Sequence, residues 1–372
     1  MRRILLLILI AIILAGCKPE IRKVGNQQLT EQKTTTRDLV FNGQPTITAE
    51  ASQSISSNGL DIYFTDPTNL VQGDYSGGAD EYLVQAIGAA KISIDMAIYS
   101  INLWSIRDAL IKSYQHGVQV RIVMESDNID DDVPRALISA GIRILGDRHE
   151  GLMHNKFVII DGQDVWTGSA NMTIGSFYYD NNNLVHLHSV DIAEDYLTEF
   201  EEMYMRDMFG SDVVAETPHP QVMVGSSLVE VYFSPDDRVA EPLLKIINNA
   251  QESITFMAYS FTANDLGSVI VDRVKAGISV EGVMDDGQII SNIGTEYDSF
   301  IQAGIKVYRA ANEGLMHHKV IIIDRTIVIT GSYNFSKNAE NTNDENIVII
   351  HNQDIAEKYL EEYERIISNL KK

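Results

Sequence analysis

Residues 150–173 read EGLMHNKFVIIDGQDVWTGSANMT, and residues 313–336 read EGLMHHKVIIIDRTIVITGSYNFS. Aligned without a gap they agree at about 14 of 24 positions, so the chain carries a duplicated unit. The identities are not scattered as core packing would scatter them. They comprise EGLMH, a Lys two residues after the His, an Asp five residues after the Lys, and a later Gly-Ser-x-Asn. Between Lys and Asp lie Phe157 to Ile160 and Val320 to Ile323, short apolar runs that predict a buried strand. A strand sends alternate side chains to opposite faces, which puts His154 with Lys156 and His317 with Lys319. Each copy thus offers an imidazole that titrates near neutrality beside a cation.

The order H-x-K-x4-D followed by G-S-x-N resembles the signature of the phospholipase D superfamily. His154, Lys156, Asp161, Gly168, Ser169 and Asn171 match it once, and His317, Lys319, Asp324, Gly331, Ser332 and Asn334 match it again. The resemblance covers the chain from about residue 58 to the end. It implies an α/β fold of two tandem phospholipase D-like domains, each a mostly parallel mixed sheet flanked by helices. A pseudo-twofold axis relates the domains, so both half-sites meet within one chain, as in a monomer.

Cleaving a phosphodiester requires a nucleophile in line with the leaving oxygen, a proton donor for that oxygen, and donors for the nonbridging oxygens. Imidazole suits the first two tasks. The resemblance implies that His154 attacks phosphorus to form a phosphohistidine, while His317 serves as acid and then base. Lys156 and Lys319 complete that catalytic set with Asp161 and Asp324, although an Asp after a buried strand equally fits a turn cap. Asn171, Asn334, Ser169 and Ser332 are expected to bind the phosphate. The family's usual carboxylate after the motif aligns with Glu345 in the second copy and with Asn182 in the first. These are the expected orienting partners, each for the histidine of its own copy, so Glu345 would favour a protonated His317. No metal set stands out; neither metal nor other cofactor is expected. His186 and His188 read as packing or edge residues, lacking a third ligand.

Around each motif the same order of elements recurs. In the first copy a strand near Ile62 to Phe64 is followed by helix Ala79 to Ala89 and strand Ile92 to Tyr99. Helix Trp104 to Gln115, strand Val118 to Met124, helix Pro134 to Ala140 and strand Ile142 to Leu145 complete it. The second copy repeats this from Val229 to Tyr308, with parallels such as MAIYS at Met96 and MAYS at Met257. Glu125 to Asp132 reads as a solvated acidic loop. The domains predicted are 58–210 and 228–372, joined by a linker over 211–227 that holds Pro218, Pro220 and Gly225.

The N-terminus differs in kind. Arg2 and Arg3, an apolar run from Ile4 to Leu14, and Leu14-Ala-Gly-Cys17 read as a signal peptide over 1–16 with a lipobox. Cys17 is the only cysteine and cannot form an internal disulfide, so it is the expected lipidation site. Residues 17–57 are polar and read as a tether. The expected address is therefore outside the cytoplasm, as a lipoprotein held by acyl chains in the cell or outer membrane. Cleavage before Cys17 removes Arg2 and Arg3 and no acid, taking the formal charge from −23 to −25.

That charge disfavours an extended grip on nucleic acid, although Arg148, Arg309, Arg325 and Lys337 lie near the motifs. The anchor puts phospholipid within reach. The expected activity is hydrolysis of phospholipid headgroup diesters to phosphatidic acid and an alcohol. The alternatives are a metal-independent endonuclease, because compact bacterial family members with a GLMHNKF-type motif include nucleases, and a non-catalytic surface binding protein, against which two undamaged motifs speak.

Overall fold

The computed structural model describes residues 59–69, 75–148, 151–311 and 314–371, all within one compact unit. The expected leader, Cys17 and the tether lie outside the described residues.

The first half contains β1 (Leu60–Phe64), α1 (Asp80–Ala89), β2 (Ser93–Ile98), α2 (Trp104–Gln115), β3 (Gln119–Met124), α3 (Asp132–Ser139) and β4 (Arg143–Gly146). It continues with β5 (Lys156–Ile160), β6 (Asp164–Gly168), α4 (Ile174–Tyr178), β7 (Asn183–His188) and α5 (Val190–Arg206). The second half contains β8 (Gln221–Val224), β9 (Ser227–Ser234), α6 (Ala240–Asn248), β10 (Ser253–Ala258), α7 (Asn264–Lys275), β11 (Ser279–Asp285) and α8 (Asp286–Ser291). After these come α9 (Tyr297–Gln302), β12 (Lys306–Ala310), β13 (Lys319–Ile323), β14 (Ile327–Gly331), α10 (Lys337–Asn341), β15 (Glu345–His351) and α11 (Gln353–Leu370). The segment read as a linker therefore includes β8, which pairs with β9 as an edge strand.

The first sheet runs β1-β7-β6-β5-β2-β3-β4, and the second runs β12-β11-β10-β13-β14-β15-β9-β8. Both are mixed. Parallel pairing is confined to the β2, β3 and β4 group and the β10, β11 and β12 group, whose crossovers are helices. The motif strands turn tightly into their neighbours and so pair antiparallel, as β5 does with β6 and with β2.

Every residue of β5 and β13 is buried, which explains runs of apolar residues in place of alternation. One core lies between the sheets and holds α5 and α11; Phe157 packs edge-on against Tyr196, and Tyr196 against Phe233, each at 5.0 Å. Two further cores lie under the outer helices of each half. Across the halves Met153 bridges Asp344 and Met316 bridges Asn181, which sets the site on the line between them. Among the described residues no helix is long and apolar enough to cross a membrane.

Candidate active site

Each EGLMH loop is tied to the other half by backbone hydrogen bonds. The His154 amide donates to the Asp344 carbonyl (3.0 Å), and the Asp344 amide to the Leu152 carbonyl (2.9 Å). Across the axis, the His317 amide donates to the Asn181 carbonyl (3.0 Å), and the Asn181 amide to the Leu315 carbonyl (2.8 Å). Gly151 and Gly314 mark the closest approaches: a Cβ at either would collide with the backbone carbonyl of Thr342 or Tyr179.

This interlock exchanges the orienting partners. Glu345 Oε2 lies 2.7 Å from His154 Nδ1, and Asn182 Oδ1 lies 2.9 Å from His317 Nδ1. The expectation that each partner serves the histidine of its own copy is corrected: the loop before β15 reaches into the first half, and the loop before β7 into the second. With Nδ1 so engaged, Nε2 of each ring is turned to the substrate side. The carboxylate belongs to His154, which reverses the reason for regarding His317 as the charged ring. Burial pushes His154 down to about 4, opposed by Glu345 and assisted by Lys156 and Lys319. His317 is pushed well below its ordinary value by burial, then by Lys319, Lys156 and His154. Charges from each half act on the ring of the other, so the two motifs form one electrostatic site.

Lys156 and Lys319 are buried, with Nζ donating to the carbonyl of the preceding histidine at 2.7 and 2.9 Å. Burial lowers Lys156 to about 7, with Glu345 opposing, and lowers Lys319 well below its usual value, with Lys156 adding repulsion. Tyr99 and Tyr259, from the repeated MAIYS and MAYS segments, pack edge-on to His154 and His317 at 5.1 and 4.6 Å. Their rings also face the lysines, Tyr99 at 5.4 Å and Tyr259 at 4.9 Å. These tyrosines are site residues outside the signature, and only their repetition marks them in the sequence.

The other expected residues divide. Asn171 and Asn334 each keep a buried Oδ1 with no hydrogen-bond partner among the described residues, so both amides remain uncommitted. Ser169 and Ser332 are committed. The Ser169 hydroxyl donates to Asn182 Oδ1 (2.8 Å) and accepts from the Asn183 amide (3.1 Å); the Ser332 hydroxyl accepts from the Asn346 amide (3.0 Å). The serines hold the orienting loops. Asp161 and Asp324 sit at the far ends of β5 and β13. The Asp161 carboxylate accepts the amides of Lys91, Ile92 and Ser93, and Asp324 those of Gln251, Glu252 and Ser253. A strand rises about 3.3 Å per residue, so a carboxylate at that end cannot share the site. Both aspartates take positive φ, 52° and 49°, and fix turns.

Glu125 was read as solvated, but it is buried and its carboxylate accepts the Met153 amide (3.1 Å), beside Asp147, which accepts the same amide (3.0 Å). Burial and the Asp147 charge push Glu125 up to about 7. Asp285 supports the second loop in the same way through the Met316 amide (3.1 Å). His186 stacks on Trp166 at 4.4 Å between Asp61 and Asp164, a surface packing role.

The family model described as cardiolipin synthase, PLD-like domain, matches residues 83–204 and 243–367. The chain belongs to the phospholipase D superfamily, in which it is a phosphodiesterase with two half-sites. Among its relatives, phospholipase D of Rickettsia bellii (strain RML369-C) is 28% identical over 166 residues, covering 43% of this chain and 82% of that protein. Mitochondrial cardiolipin hydrolase of Xenopus tropicalis is 31% identical over 130 residues, covering 35% of this chain and 61% of that protein. Phosphatidylserine synthase of Haemophilus influenzae Rd KW20 has a similar fold, with a TM-score of 0.63 at 12% identity over 84% of this chain and 87% of that one.

Proposed function

We propose that the protein hydrolyses phospholipid headgroup diesters to phosphatidic acid and an alcohol through a phosphohistidine on His154. The observation that carries this reading is the pairing of Glu345 with His154 and of Asn182 with His317. As Nε2 of His154 bonds to phosphorus its ring becomes cationic, and the Glu345 carboxylate stabilises that charge. Burial and the two lysines hold His317 neutral in the free protein, so the ring takes up its proton as the anionic diester arrives; Asn182 offers no charge to retain it, and Nε2 gives it readily to the leaving oxygen as the P–O bond breaks. His317, now neutral, takes a proton from water, whose oxygen attacks phosphorus and returns His154. Lys156, Lys319, Asn171 and Asn334 hold the nonbridging oxygens. No step in this scheme needs a metal ion.

Two features favour lipid over nucleic acid. Leu152 and Leu315, the residues just before Met-His in each motif, are each 40% exposed beside the site and give it an apolar rim. Arg148, Arg309 and Arg325 are ion-paired with Asp207, Asp286 and Glu357, which leaves little uncommitted positive charge to track a polyphosphate backbone. The relatives named phospholipase D and cardiolipin hydrolase agree with this choice. Lipidation at Cys17 and export to a membrane surface complete the proposal. The test is hydrolysis of phospholipid vesicles and of plasmid DNA by the purified protein, with His154→Asn as control and EDTA in parallel. Plasmid cleavage without lipid turnover would sink the lipid reading, and label trapped on His317 would reverse the histidine roles.

A further inference from the structure

Beside the second half-site lies a cavity of about 480 Å³, within the size range of small-ligand sites. It is lined by Ser260, Thr262 and Ser336, by Asn264, Asn292 and Asn338, and by Lys337, with Ile293 and Gly294 at its edge. Its wall is continuous with the site. Ser260 follows Tyr259, whose ring touches His317; Asn292 Nδ2 donates to Ser260 Oγ (3.0 Å) and to Gln288 Oε1 (3.1 Å); Gln288 Nε2 donates to Tyr259 OH (3.1 Å). Ser336 lies two residues beyond Asn334, one of the uncommitted amides.

At the equivalent positions the first half keeps Ser100, Asn102 and Thr173 opposite Ser260, Thr262 and Ser336, but differs at others. The Ile101–Met172 and Phe261–Phe335 bridges align the two segments, so Asn264 corresponds to Trp104 and Lys337 to Ile174. Trp104 is 62% exposed. At these two positions the flanks of the site therefore differ by one amide and one ammonium, which the second half has and the first replaces with apolar side chains.

We infer that this cavity binds the leaving headgroup, and that it selects headgroups that are polyols. The inference rests on the proposed roles of the histidines, because displacement in line with His154 places the departing oxygen at His317 and so beside the cavity. The lining fixes the class. Vicinal hydroxyls need interleaved donors and acceptors, which hydroxyls and primary amides supply together. A quaternary ammonium group needs an aromatic face, and a primary amine needs a carboxylate; among the described residues the cavity wall contains neither. Lys337 adds a donor for a hydroxyl or for an anionic substituent on the polyol.

The test is competition within one mixture, using the full-length chain. Phosphatidylglycerol and phosphatidylinositol are set against phosphatidylcholine and phosphatidylethanolamine in mixed vesicles. In parallel, the water-soluble diesters glycerophosphoinositol and glycerophosphocholine compete with each other. Polyol headgroups are expected to leave at least about tenfold faster than choline, one pocket's worth of discrimination. In Asn264→Trp/Lys337→Ile, which installs the residues of the first half, that ratio is expected to fall below threefold. A ratio within one mixture does not depend on how much of the variant folds. Vesicle hydrolysis with no headgroup preference would overturn the inference and leave the lipid reading intact. Preference among the soluble diesters with inert vesicles would uphold the cavity and end the lipid reading. An unchanged ratio in the double variant would also overturn the inference.

Discussion

Glu345 Oε2 is 2.7 Å from His154 Nδ1, yet the two residues belong to different copies of the duplicated unit and are separated by 191 positions in the chain. Neither half holds a complete imidazole and partner pair. Glu345→Gln keeps an acceptor in place and removes the charge, so it is expected to lower kcat by about 10²–10³-fold with a smaller effect on KM. The loss should appear in the burst of phosphoenzyme formation with bis(p-nitrophenyl) phosphate. A burst that survives with only its decay slowed would place the carboxylate's role at the hydrolysis step.

Oxyanion binding is expected to take up protons. Lys156 sits at about 7 because it is buried, and an arriving anion draws a proton onto it and onto Lys319. The complex thus binds more protons than the free protein, so affinity for tungstate should tighten as pH falls from about 9 toward 7. Calorimetry in buffers of different ionisation heat reads the uptake directly. Binding that exchanges no protons across this range would contradict the buried, partly neutral lysines.

Gly151→Ala and Gly314→Ala each place a methyl against a backbone carbonyl of the other half. Backbone cannot rotate aside as a side chain can, so the loops must separate. A shift of about 1 Å at either histidine is expected to cost on the order of 10²-fold in kcat. If either variant retained full activity, close contact between the loops would not be needed to align the rings.

Asp161→Ala leaves three backbone amides at the start of β2 without their acceptor, and is expected to destabilise the fold by about 2–4 kcal/mol. Its kcat per folded molecule should change less than threefold, unlike that of His154→Asn. Urea unfolding and active-site titration separate the two effects. A large loss in kcat at unchanged stability would return the aspartate to the chemistry.

Glu199 and Glu202 of the first half form a largely buried acidic cluster with Asp236 of the second, and the pseudo-twofold counterpart of Glu202 is Arg365, bonded to Glu362 and Asp66. Burial raises all three carboxyls, Asp236 to about 7. Raised folded-state values mean that the folded protein holds more protons than the unfolded chain. Stability is then greatest below the ordinary carboxyl range and is lost as pH rises toward 7 and beyond. Glu202→Gln removes one of the repelling charges, and its half-exposed pairing with Arg206 contributes little. The variant should melt about 2–4 °C higher at pH 8 and nearly unchanged at pH 5. Equal shifts at both values would rule out charge repulsion as the cause.

Much of the fold was legible because the duplication shows twice. The apolar runs of β5 and β13 read directly from residue type. The hairpin β5-β6 and strand β7 were less visible, since β6 and β7 carry only a few polar residues on otherwise buried strands. His154, Lys156, His317 and Lys319 were fixed by the strand period. The exchange of Asn182 and Glu345 was not, because alignment reports which positions correspond and says nothing of which half a loop enters. The aspartates of the motif were legible as turn caps, since repeated residues near a site serve its geometry as well as its chemistry.

The difference between an amide at 182 and a carboxylate at 345 gives the centre a direction. Two identical copies would accept a diester in either orientation, and either half of the molecule could depart. Here the ends are distinguishable before anything binds, so under the proposed roles of the two histidines the chain itself would dictate which fragment is held and which is let go.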